Sequence, residues 1–297
     1  MDKGQSVLDK LRNKAHREGK SLQKLLQLFC QEEFLRRLQH STFSNNFILK
    51  GGLFLYYLSE FKGRPTMDID FAMRYLSNTT ENIVRIIMEI LSGETENDYI
   101  TFQFLSTELI AEQKEYHGVR IKLVAQIKNT RTPFHIDLGI GDVIVPKPET
   151  RELPTQLDEF KKPEVLTYSL ESTISEKFEA IISLMELSSR MKDYYDIYFL
   201  ANSYFFDARK LQEALSETLK NRGTNYESDT LEKVRAFQAD KDMNLKWSHF
   251  IKTLGIDLPF FEVIETLYSF MHPIFWAIIN ESEIFGTWNP QTNNFFD

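Results

Sequence analysis

The sequence has very little cysteine: one residue, Cys30, in a chain of 297. A single thiol cannot form an intramolecular disulfide and cannot build a cysteine-rich zinc site. Cys30 lies in the apolar, helix-like stretch LLQLFCQEEF, which indicates a small buried side chain. The 6 histidines are scattered and lack the spacing of metal ligands. The composition therefore excludes disulfide-stabilised and zinc-finger-like proteins.

Long apolar runs are also missing. The longest, such as IFWAII, are far too short to span a bilayer. The first stretch, MDKGQSVLDKLRNKAHREGK, carries charge throughout and has no apolar core of the kind that a signal peptide needs. We therefore expect a cytoplasmic protein with no membrane partner.

The chain lacks an overall positive charge, since its formal net charge is −8. This balance argues against a protein that does nothing but bind nucleic acid. The charge is uneven, however: residues 1–62 hold 11 Lys and Arg against 6 Asp and Glu, a net of +5, which leaves −13 for the rest. The basic stretch could meet RNA phosphates or an acidic partner, or it could be a set of solvated helix faces.

Apolar spacing predicts both helices and strands in the first half of the chain. A three- and four-residue period predicts an amphipathic helix from Ser21 to Gln39, and another that begins at Thr79 or Thr80 and stops at Gly93. The run FILKGGLFLYYL predicts a glycine turn that opens a buried helix. Alternation predicts strands in MDIDFAM, YITFQFL, GVRIKLVAQI and PFHIDLGI.

The second half of the chain has helical spacing. The segment VIVPKPETRELPTQ carries three prolines and is loop-like, so it is a candidate boundary. Beyond it, SLESTISEKFEAIISLMEL and MKDYYDIYFLANSYF predict helices, and the tail NPQTNNFFD is expected to be frayed. We predict an α/β (α+β) fold with two domains, an α/β domain with an N-terminal helix over 1–160 and a helical domain over 161–297.

The strand MDIDFAM carries two carboxylates on one face. Asp68 and Asp70 are alternate residues, about 6–7 Å apart along a strand. Like charges this close need a compensating cation, and Mg²⁺ prefers carboxylate oxygens together with phosphate and water. Asp137 has the same place in PFHIDLGI and would add a third carboxylate, enough for one or two metals that stabilise a phosphoryl displacement. A bare DxD pattern arises often by chance, so its neighbours decide its meaning.

A glycine pair, Gly51–Gly52, lies one predicted helix upstream of the carboxylates. Glycines at a helix N-terminus let backbone N–H groups approach a phosphate, which the helix dipole also favours. Read alone, the pair would be a plain turn. Read with the carboxylate strands, it predicts a turn that holds a triphosphate whose metal is bound by the aspartates.

These residues occur in a recognisable order. The stretch LKGGLFLYYLSEFKGRPTMDIDFAM resembles the first motif of the AbiEii/AbiGii toxin family of nucleotidyltransferases, which is related to the MenT toxins and belongs to the DNA-polymerase-β-like superfamily. That motif is a Gly-Gly or Gly-Ser turn, a helix, and Arg-x-Ser/Thr-x-Asp-hydrophobic-Asp-Phe. The matching positions here are Gly51, Gly52, Arg64, Thr66, Asp68, Ile69, Asp70 and Phe71. Gly52 stands where many relatives have Ser, which removes a hydroxyl, whereas Thr66 keeps one where Ser is common.

A second resemblance lies in the helical part. SEKFEAI and RMKDYYDIYFL are similar to the family's Glu-Lys-x-x-Ala-hydrophobic and Arg/Lys-Asp-x-Tyr-Asp-hydrophobic motifs. The resemblance implies catalytic roles for Lys177 and Asp193, with Lys177 reaching the nucleotide phosphates. Without the family, Lys177 would be a solvated helix lysine and Asp193 a helix cap. We expect Asp196 to be a structural partner of Arg190, Lys192 or Lys177.

Two residues near the carboxylates stay ambiguous. Arg64 either contacts a phosphate or pairs with the carboxylate face. His135 shares a predicted face with Asp137 and either borders the site or is a partly buried polar residue.

The resemblance covers roughly residues 48–200 and implies a fold and a function. The fold would be a nucleotidyltransferase-like mixed sheet with flanking helices, followed by a helical part that completes the active site. The protein would be the toxin of a bacterial toxin–antitoxin system of type IV character, acting in abortive infection as a phage defence.

The implied reaction is transfer of a nucleoside monophosphate from a nucleoside triphosphate to an RNA acceptor, the 3′ end of tRNA, with Mg²⁺ or alternatively Mn²⁺. A cognate antitoxin would act with or without direct binding. Two alternatives stay open: transfer to a protein acceptor, and a toxin that binds a nucleotide such as GTP without transferring it.

Overall fold

The computed structural model describes residues 2–112 and 116–296. Its contacts divide the chain into two compact units. The first comprises Met1–Asp142 and Pro148–Tyr168, and the second comprises Val143–Lys147 and Ser169–Asp297.

The first unit is a mixed α/β structure, as predicted. Its elements in chain order are α1 (Lys3–Glu18), α2 (Leu22–His40), β1 (Phe47–Lys50), α3 (Gly51–Leu58), β2 (Ile69–Met73), α4 (Thr80–Ser92), β3 (Ile100–Glu112), β4 (Tyr116–Ile127), β5 (Thr130–Ile140), β6 (Glu149–Glu152) and β7 (Glu164–Thr167).

One seven-stranded mixed sheet organises this unit, in the order β3-β4-β5-β2-β1-β7-β6. The central strand, β2, runs parallel to its neighbour β5 and antiparallel to its other neighbour β1. Ile69, Phe71 and Ile136 are fully buried on one face of the sheet. Because side chains alternate along a strand, the residues between them point to the opposite face.

The predicted helices begin and end near the expected residues. α2 follows Ser21, although that side chain forms no capping hydrogen bond. α4 is capped by Thr79, whose side chain accepts from the Asn82 N–H, and it stops at Gly93. Ile83, Ile86, Ile87 and Ile90 form its buried stripe.

Three local predictions differ from the structure. The stretch FILK forms β1 ahead of the glycine turn, where no strand was predicted. β2 begins at Ile69, so Asp68 lies just before the strand rather than within it. The unit extends to Tyr168 rather than to residue 160, because β7 pairs with both β1 and β6 and so belongs to the sheet.

The second unit is helical. Its elements are α5 (Leu170–Leu184), α6 (Met191–Ser203), β8 (Phe206–Asp207), α7 (Ala208–Arg222), α8 (Thr230–Ala236), α9 (Lys241–Leu254), α10 (Phe260–Ile279), β9 (Thr287–Asn289) and β10 (Asn294–Phe296). The fully buried side chains of Phe178, Tyr194 and Phe270 contribute to its core.

The C-terminal tail is ordered up to residue 296, so the expectation that it is frayed is wrong. β9 and β10 form a hairpin, and β9 also pairs with β8. The Trp288 side chain is fully buried, and its Nε1–H donates to the Ala201 carbonyl at 2.7 Å. Burial of an aromatic ring with a satisfied donor fixes the tail to the unit.

Within the two described ranges, every helix is too short or too polar to cross a membrane.

Candidate active site

The predicted carboxylate face forms at the centre of the first unit's sheet. Asp70 on β2 and Asp137 on β5 are register partners on adjacent parallel strands. Such strands lie about 4.8 Å apart, and register partners share a face, so both carboxylates point to the side opposite the core. The structure therefore brings together the two strands that carry the predicted site carboxylates.

The glycine turn lies directly against this face. Gly51 is the first residue of α3 and has a left-handed backbone, with φ of +69°. A Cβ atom at Gly51 would lie 2.3 Å from Oδ2 of Asp70, closer than any real contact. Only glycine leaves room for Asp70 here, and the carboxylate lies at a helix N-terminus, where negative charge is favoured.

Gly52 forms a similar close contact with two other motif residues. A Cβ there would lie 3.1 Å from Arg64 Nη2 and 3.1 Å from Thr66 Oγ1. Arg64 and Thr66 thus cover the start of α3. The turn, the arginine, the hydroxyl and Asp70 form one cluster within the first unit.

Asp68 contacts His135 on the same face. His135 Nε2 lies 3.0 Å from Asp68 Oδ1, an ion-pair distance. Interaction with this carboxylate raises the pKa of His135 above its ordinary value of 6.5. Of the two possibilities for His135, the structure thus supports a residue that borders the site.

Asp137 has a partner that the sequence did not reveal. Arg120 on β4 donates through Nε to Oδ1 at 2.8 Å and through Nη2 to Oδ2 at 2.6 Å. This bidentate fork raises the pKa of Arg120 above its already high ordinary value. The alternation of GVRIKLVAQI places Arg120 on the polar face of its strand, but the sequence does not give the register that sets it opposite Asp137.

A second ion pair lies at the other end of the same row of residues. Lys50 on β1 is the register partner of Asp70, and its ammonium group pairs with Asp142. The ammonium lies 5.3 Å from the centre of the Tyr168 ring. A Cβ at Gly139 would lie 3.0 Å from Asp142, so this pair packs closely on the end of β5. The sequence did not predict Lys50, Asp142 or Tyr168 as site residues.

The backbone just before Asp68 is held by α2. The side-chain amides of Gln27 and Gln31 both donate to the Met67 carbonyl, at 2.6 and 2.8 Å. Gln31 is fully buried. Two donors on one carbonyl fix the chain at the point where the carboxylate strand begins. The periodicity of α2 does not predict this positioning contact.

The other predicted residues lie in the second unit. Lys177 on α5 lies 3.0 Å from Asp193 Oδ1 and 2.6 Å from Asp196 Oδ2, and Arg190 Nε lies 2.9 Å from Asp193 Oδ2. We call these four residues the Lys177 cluster. Lys177 is 9% exposed, so it is not the solvated lysine that its spacing alone suggested. Asp193 lies in the first turn of α6, whose cap position is Arg190.

The carboxylates of the sheet face offer a small set of ligands for a metal ion. Across residues 2–112 and 116–296, no three His, Cys, Asp or Glu side chains are grouped so as to hold an ion by themselves. Asp68 and Asp70 nevertheless fit Mg²⁺, which binds through one or two carboxylates and takes its other ligands from phosphates and water. Metal binding by Asp137 stays a prediction.

The sheet face can therefore bind a polyphosphate through a divalent cation. Asp70 lies against the N-terminus of α3, where Arg64 and Thr66 also pack. Backbone N–H groups, a guanidinium and a hydroxyl are groups that bind phosphate oxygens. Such an arrangement neutralises charge on a triphosphate and orients it.

A solved structure has a fold similar to that of this chain. The chain is similar to MenT4, a nucleotidyltransferase toxin from Mycobacterium tuberculosis H37Rv, with a TM-score of 0.56 and 15% identity over 78% of this chain and 79% of that one. JHP933 from Helicobacter pylori has a TM-score of 0.49 and 14% identity over 88% of this chain and 95% of that one. At such identities the first similarity shows the fold alone. No curated protein matches the sequence.

Most of the sequence matches a known family. Residues 33–269 match the family described as "Nucleotidyl transferase AbiEii toxin, Type IV TA system". The matched range includes the glycine turn, both carboxylate strands and the Lys177 cluster. The chain therefore belongs to the AbiEii family of nucleotidyl transferase toxins of type IV toxin–antitoxin systems.

Proposed function

We propose that this protein transfers a nucleoside monophosphate from a nucleoside triphosphate to a hydroxyl group at the 3′ end of an RNA, with tRNA as the acceptor. The acceptor oxygen forms a bond to the α-phosphorus while the bond to the β-phosphate oxygen breaks, and pyrophosphate leaves. The observation that carries the proposal is the position of Asp70, which lies against Gly51, the first residue of α3.

Asp68 and Asp70 would hold a divalent cation, Mg²⁺ with Mn²⁺ as an alternative. When bound, the cation supplies charge neutralisation for the triphosphate and the pyrophosphate that leaves. The close approach of Asp70 to Gly51 supports this assignment, because it fixes one carboxylate at the site of phosphate binding. A fixed carboxylate needs no rearrangement when substrate binds.

The chain's own groups would orient the triphosphate. The Gly51–Gly52 turn opens α3, whose first N–H groups are suited to phosphate oxygens. Arg64 and Thr66 pack on Gly52 and can contact the same phosphates. Both alternatives for Arg64, phosphate binding and pairing with the carboxylate face, stay open, since its guanidinium and the Asp70 carboxylate both lie at the turn.

Roles for Lys177 and Asp193 in phosphate binding and catalysis rest on the family resemblance. Their burial with Asp196 gives the lysine a fixed position and a fixed charge. A side chain held in this way loses little entropy when it binds a phosphate. This makes a functional role compatible with a structural one.

The RNA acceptor rests on the resemblance to the MenT toxins. The basic N-terminal stretch gives it little support, because its cations pair with nearby carboxylates: Lys10 with Glu159, Arg12 with Asp9, and Lys14 with Glu18. Surface pairs of this kind favour the alternative of a solvated helix surface. The family itself implies an antitoxin partner.

The test is transfer of label from each of the four α-labelled nucleotides to total tRNA, in the presence of Mg²⁺. We expect label in RNA with the wild type and a loss of about 100-fold or more with Asp70→Asn, since a misplaced metal ligand has that effect. Asp9→Asn, a change at an exposed carboxylate on α1, is the matched control and should retain full activity.

The competing functions give different products. If the label appears in protein instead of RNA, the acceptor is a protein. If nucleotide binds tightly but no labelled product and no pyrophosphate form, the protein binds the nucleotide without transferring it. Full activity of Asp70→Asn would contradict the metal assignment.

A further inference from the structure

Arg120 lies on the site face, at the end away from the glycine turn. Register pairs Asp70 with Asp137 and Asp137 with Arg120, so the three side chains share this face. The sheet order β4-β5-β2-β1 puts the turn, which follows β1, on the other side of Asp70. Three strand spacings of about 4.8 Å separate β4 from β1. Arg120 is therefore on the side of the carboxylates that is far from a triphosphate held at the turn.

The fork with Asp137 fixes the direction of the Arg120 side chain. Nε and Nη2 donate to the two carboxylate oxygens, at 2.8 and 2.6 Å. A guanidinium carries five N–H donors, and the fork uses two of them. The Arg120 side chain is 35% exposed, so its other donors can reach an acceptor outside the protein.

Two more cations continue from Arg120 along the same face. Lys122 is two residues further along β4, and its ammonium group pairs with Glu108 on β3. Arg131 is exposed and lies near the start of β5. Within the described parts of the chain, Arg131 pairs with no carboxylate, and its Nη2 donates to the neutral amide oxygen of Gln103 at 3.4 Å. We call Arg120, Lys122 and Arg131 the sheet cations.

The sheet cations are spread over a distance that suits a polymer. Gln126, the register partner of Arg131, is six residues from Arg120 along β4, which is about 20 Å of strand. The two carboxylates paired with them, Asp137 and Glu108, leave one positive charge in excess. Separate cations along one line meet the repeated phosphates of a nucleic acid, whereas a small anion would contact one of them.

We propose that the sheet cations bind the phosphate backbone of the acceptor RNA, and that Arg120 holds the phosphate nearest to the reacting 3′ end. This inference rests on the proposed function, because it takes RNA as the acceptor. Arg120 is assigned to the 3′ end because its partner Asp137 is the register neighbour of Asp70. Phosphate contacts position a nucleic acid without reading its bases, so this surface accepts RNA of any sequence.

The test measures the binding of a fluorescently labelled tRNA to the whole protein, by fluorescence anisotropy over a series of salt concentrations. The variants are Arg120→Gln, Lys122→Gln and Arg131→Gln, together with Arg120→Lys, which keeps the charge. Arg85→Gln is the matched control, because Arg85 is an exposed arginine on α4 that also pairs with a carboxylate, Glu89. The KM for the nucleoside triphosphate comes from the transfer assay, and melting temperatures identify any variant that fails to fold.

Each of the three Gln variants should lower the slope of log affinity against log salt concentration by about 0.7 to 0.9, the value for one lost phosphate contact. Arg120→Gln should weaken tRNA binding by about tenfold or more, because it removes hydrogen bonds to a charged group. Arg120→Lys should keep the wild-type slope but bind less tightly, since lysine cannot form the fork. The KM for the triphosphate should be unchanged in all of them, and Arg85→Gln should match the wild type throughout.

Two results would overturn the inference. One is a wild-type salt slope in all three Gln variants. The other is a rise in the KM for the triphosphate in Arg120→Gln that equals its loss of tRNA binding, which would assign Arg120 to the triphosphate. If Arg120→Gln does not fold, the slopes of Lys122→Gln and Arg131→Gln still decide.

Failure of this inference is distinguishable from failure of the proposed function. A wild type that labels tRNA, with variants that bind tRNA normally, would overturn the role of the sheet cations alone. A wild type that labels protein and binds no tRNA would overturn the proposed acceptor as well.

Discussion

At Gly51, one added methyl group should lower both the stability of the protein and its nucleotide transfer. Its φ of +69° is a backbone conformation that disfavours alanine by about 1–2 kcal/mol. The new Cβ would also lie 2.3 Å from Asp70 Oδ2, so the carboxylate must retreat by about 1 Å to reach the 3.4 Å at which ordinary contact begins. A misplacement of about 1 Å in a catalytic group lowers the rate by about 100-fold.

Gly51→Ala should therefore lower nucleotide transfer by about 100-fold or more, while the strain lowers the melting temperature by a few degrees, at about 2–4 °C per kcal/mol. The assay is label transfer together with thermal unfolding. Gly19→Ala is the matched control: Gly19 has a φ of +63° and no atom within 4 Å of its added Cβ. It should show the same loss of stability with full activity.

Gly52→Ser provides a second comparison at the neighbouring position. Its Cβ would lie 3.1 Å from Arg64 and Thr66, which can shift by a few tenths of an ångström. We expect activity within about tenfold of wild type, because that shift is well under the 1 Å that disables a site. The reasoning would be refuted if Gly51→Ala kept most of its activity, or if Gly19→Ala lost it equally.

Three further changes test other contacts. Gln31→Leu should lower transfer severalfold, because it removes one of the two donors to the Met67 carbonyl. The melting temperature should change little, because the substitution also removes a buried oxygen that has no hydrogen-bond partner. Unchanged kinetics would show that Gln31 does not position the carboxylate strand. Burial raises the pKa of Glu32 from 4.5 to about 8, so its contribution to stability is present below pH 4.5 and is lost as the pH rises through 8. Glu32→Gln should therefore gain stability over wild type across that window in chemical denaturation, and parallel pH curves would contradict the assignment. Lys177→Met leaves the carboxylates of the Lys177 cluster without their lysine and should lower the free energy of unfolding by about 3–5 kcal/mol; a loss below about 1 kcal/mol would show that the cluster is not a coupled unit.

Much of the fold follows from local patterns. Alternation in PFHIDLGI and helical spacing after Thr79 each predict an element that the structure contains. The four-residue strand β1 was missed, because FILK is apolar throughout and a short buried strand has no period of its own. The tail was missed because its contacts are distant in sequence: Trp288 donates to the Ala201 carbonyl, and β9 pairs with β8.

The site was predictable only in part, for a related reason. Asp70 and Gly51 belong to one motif, and local spacing together with the family resemblance identifies both. Arg120 is 17 residues from Asp137, and Asp142 is 92 from Lys50. Pairings at that range depend on strand register, which the turns and the packed core determine together.

The most direct measurement of the central claim follows two labels through one reaction. Wild type and Asp70→Asn are incubated with tRNA, Mg²⁺ and a nucleoside triphosphate labelled on either the α- or the γ-phosphate. The predicted result is that the α-label enters RNA, that the γ-label leaves as pyrophosphate in equal amount, and that Asp70→Asn does neither. Transfer of the γ-label to any acceptor, or equal α-label incorporation by Asp70→Asn, would contradict nucleotide transfer at the Asp68–Asp70 site.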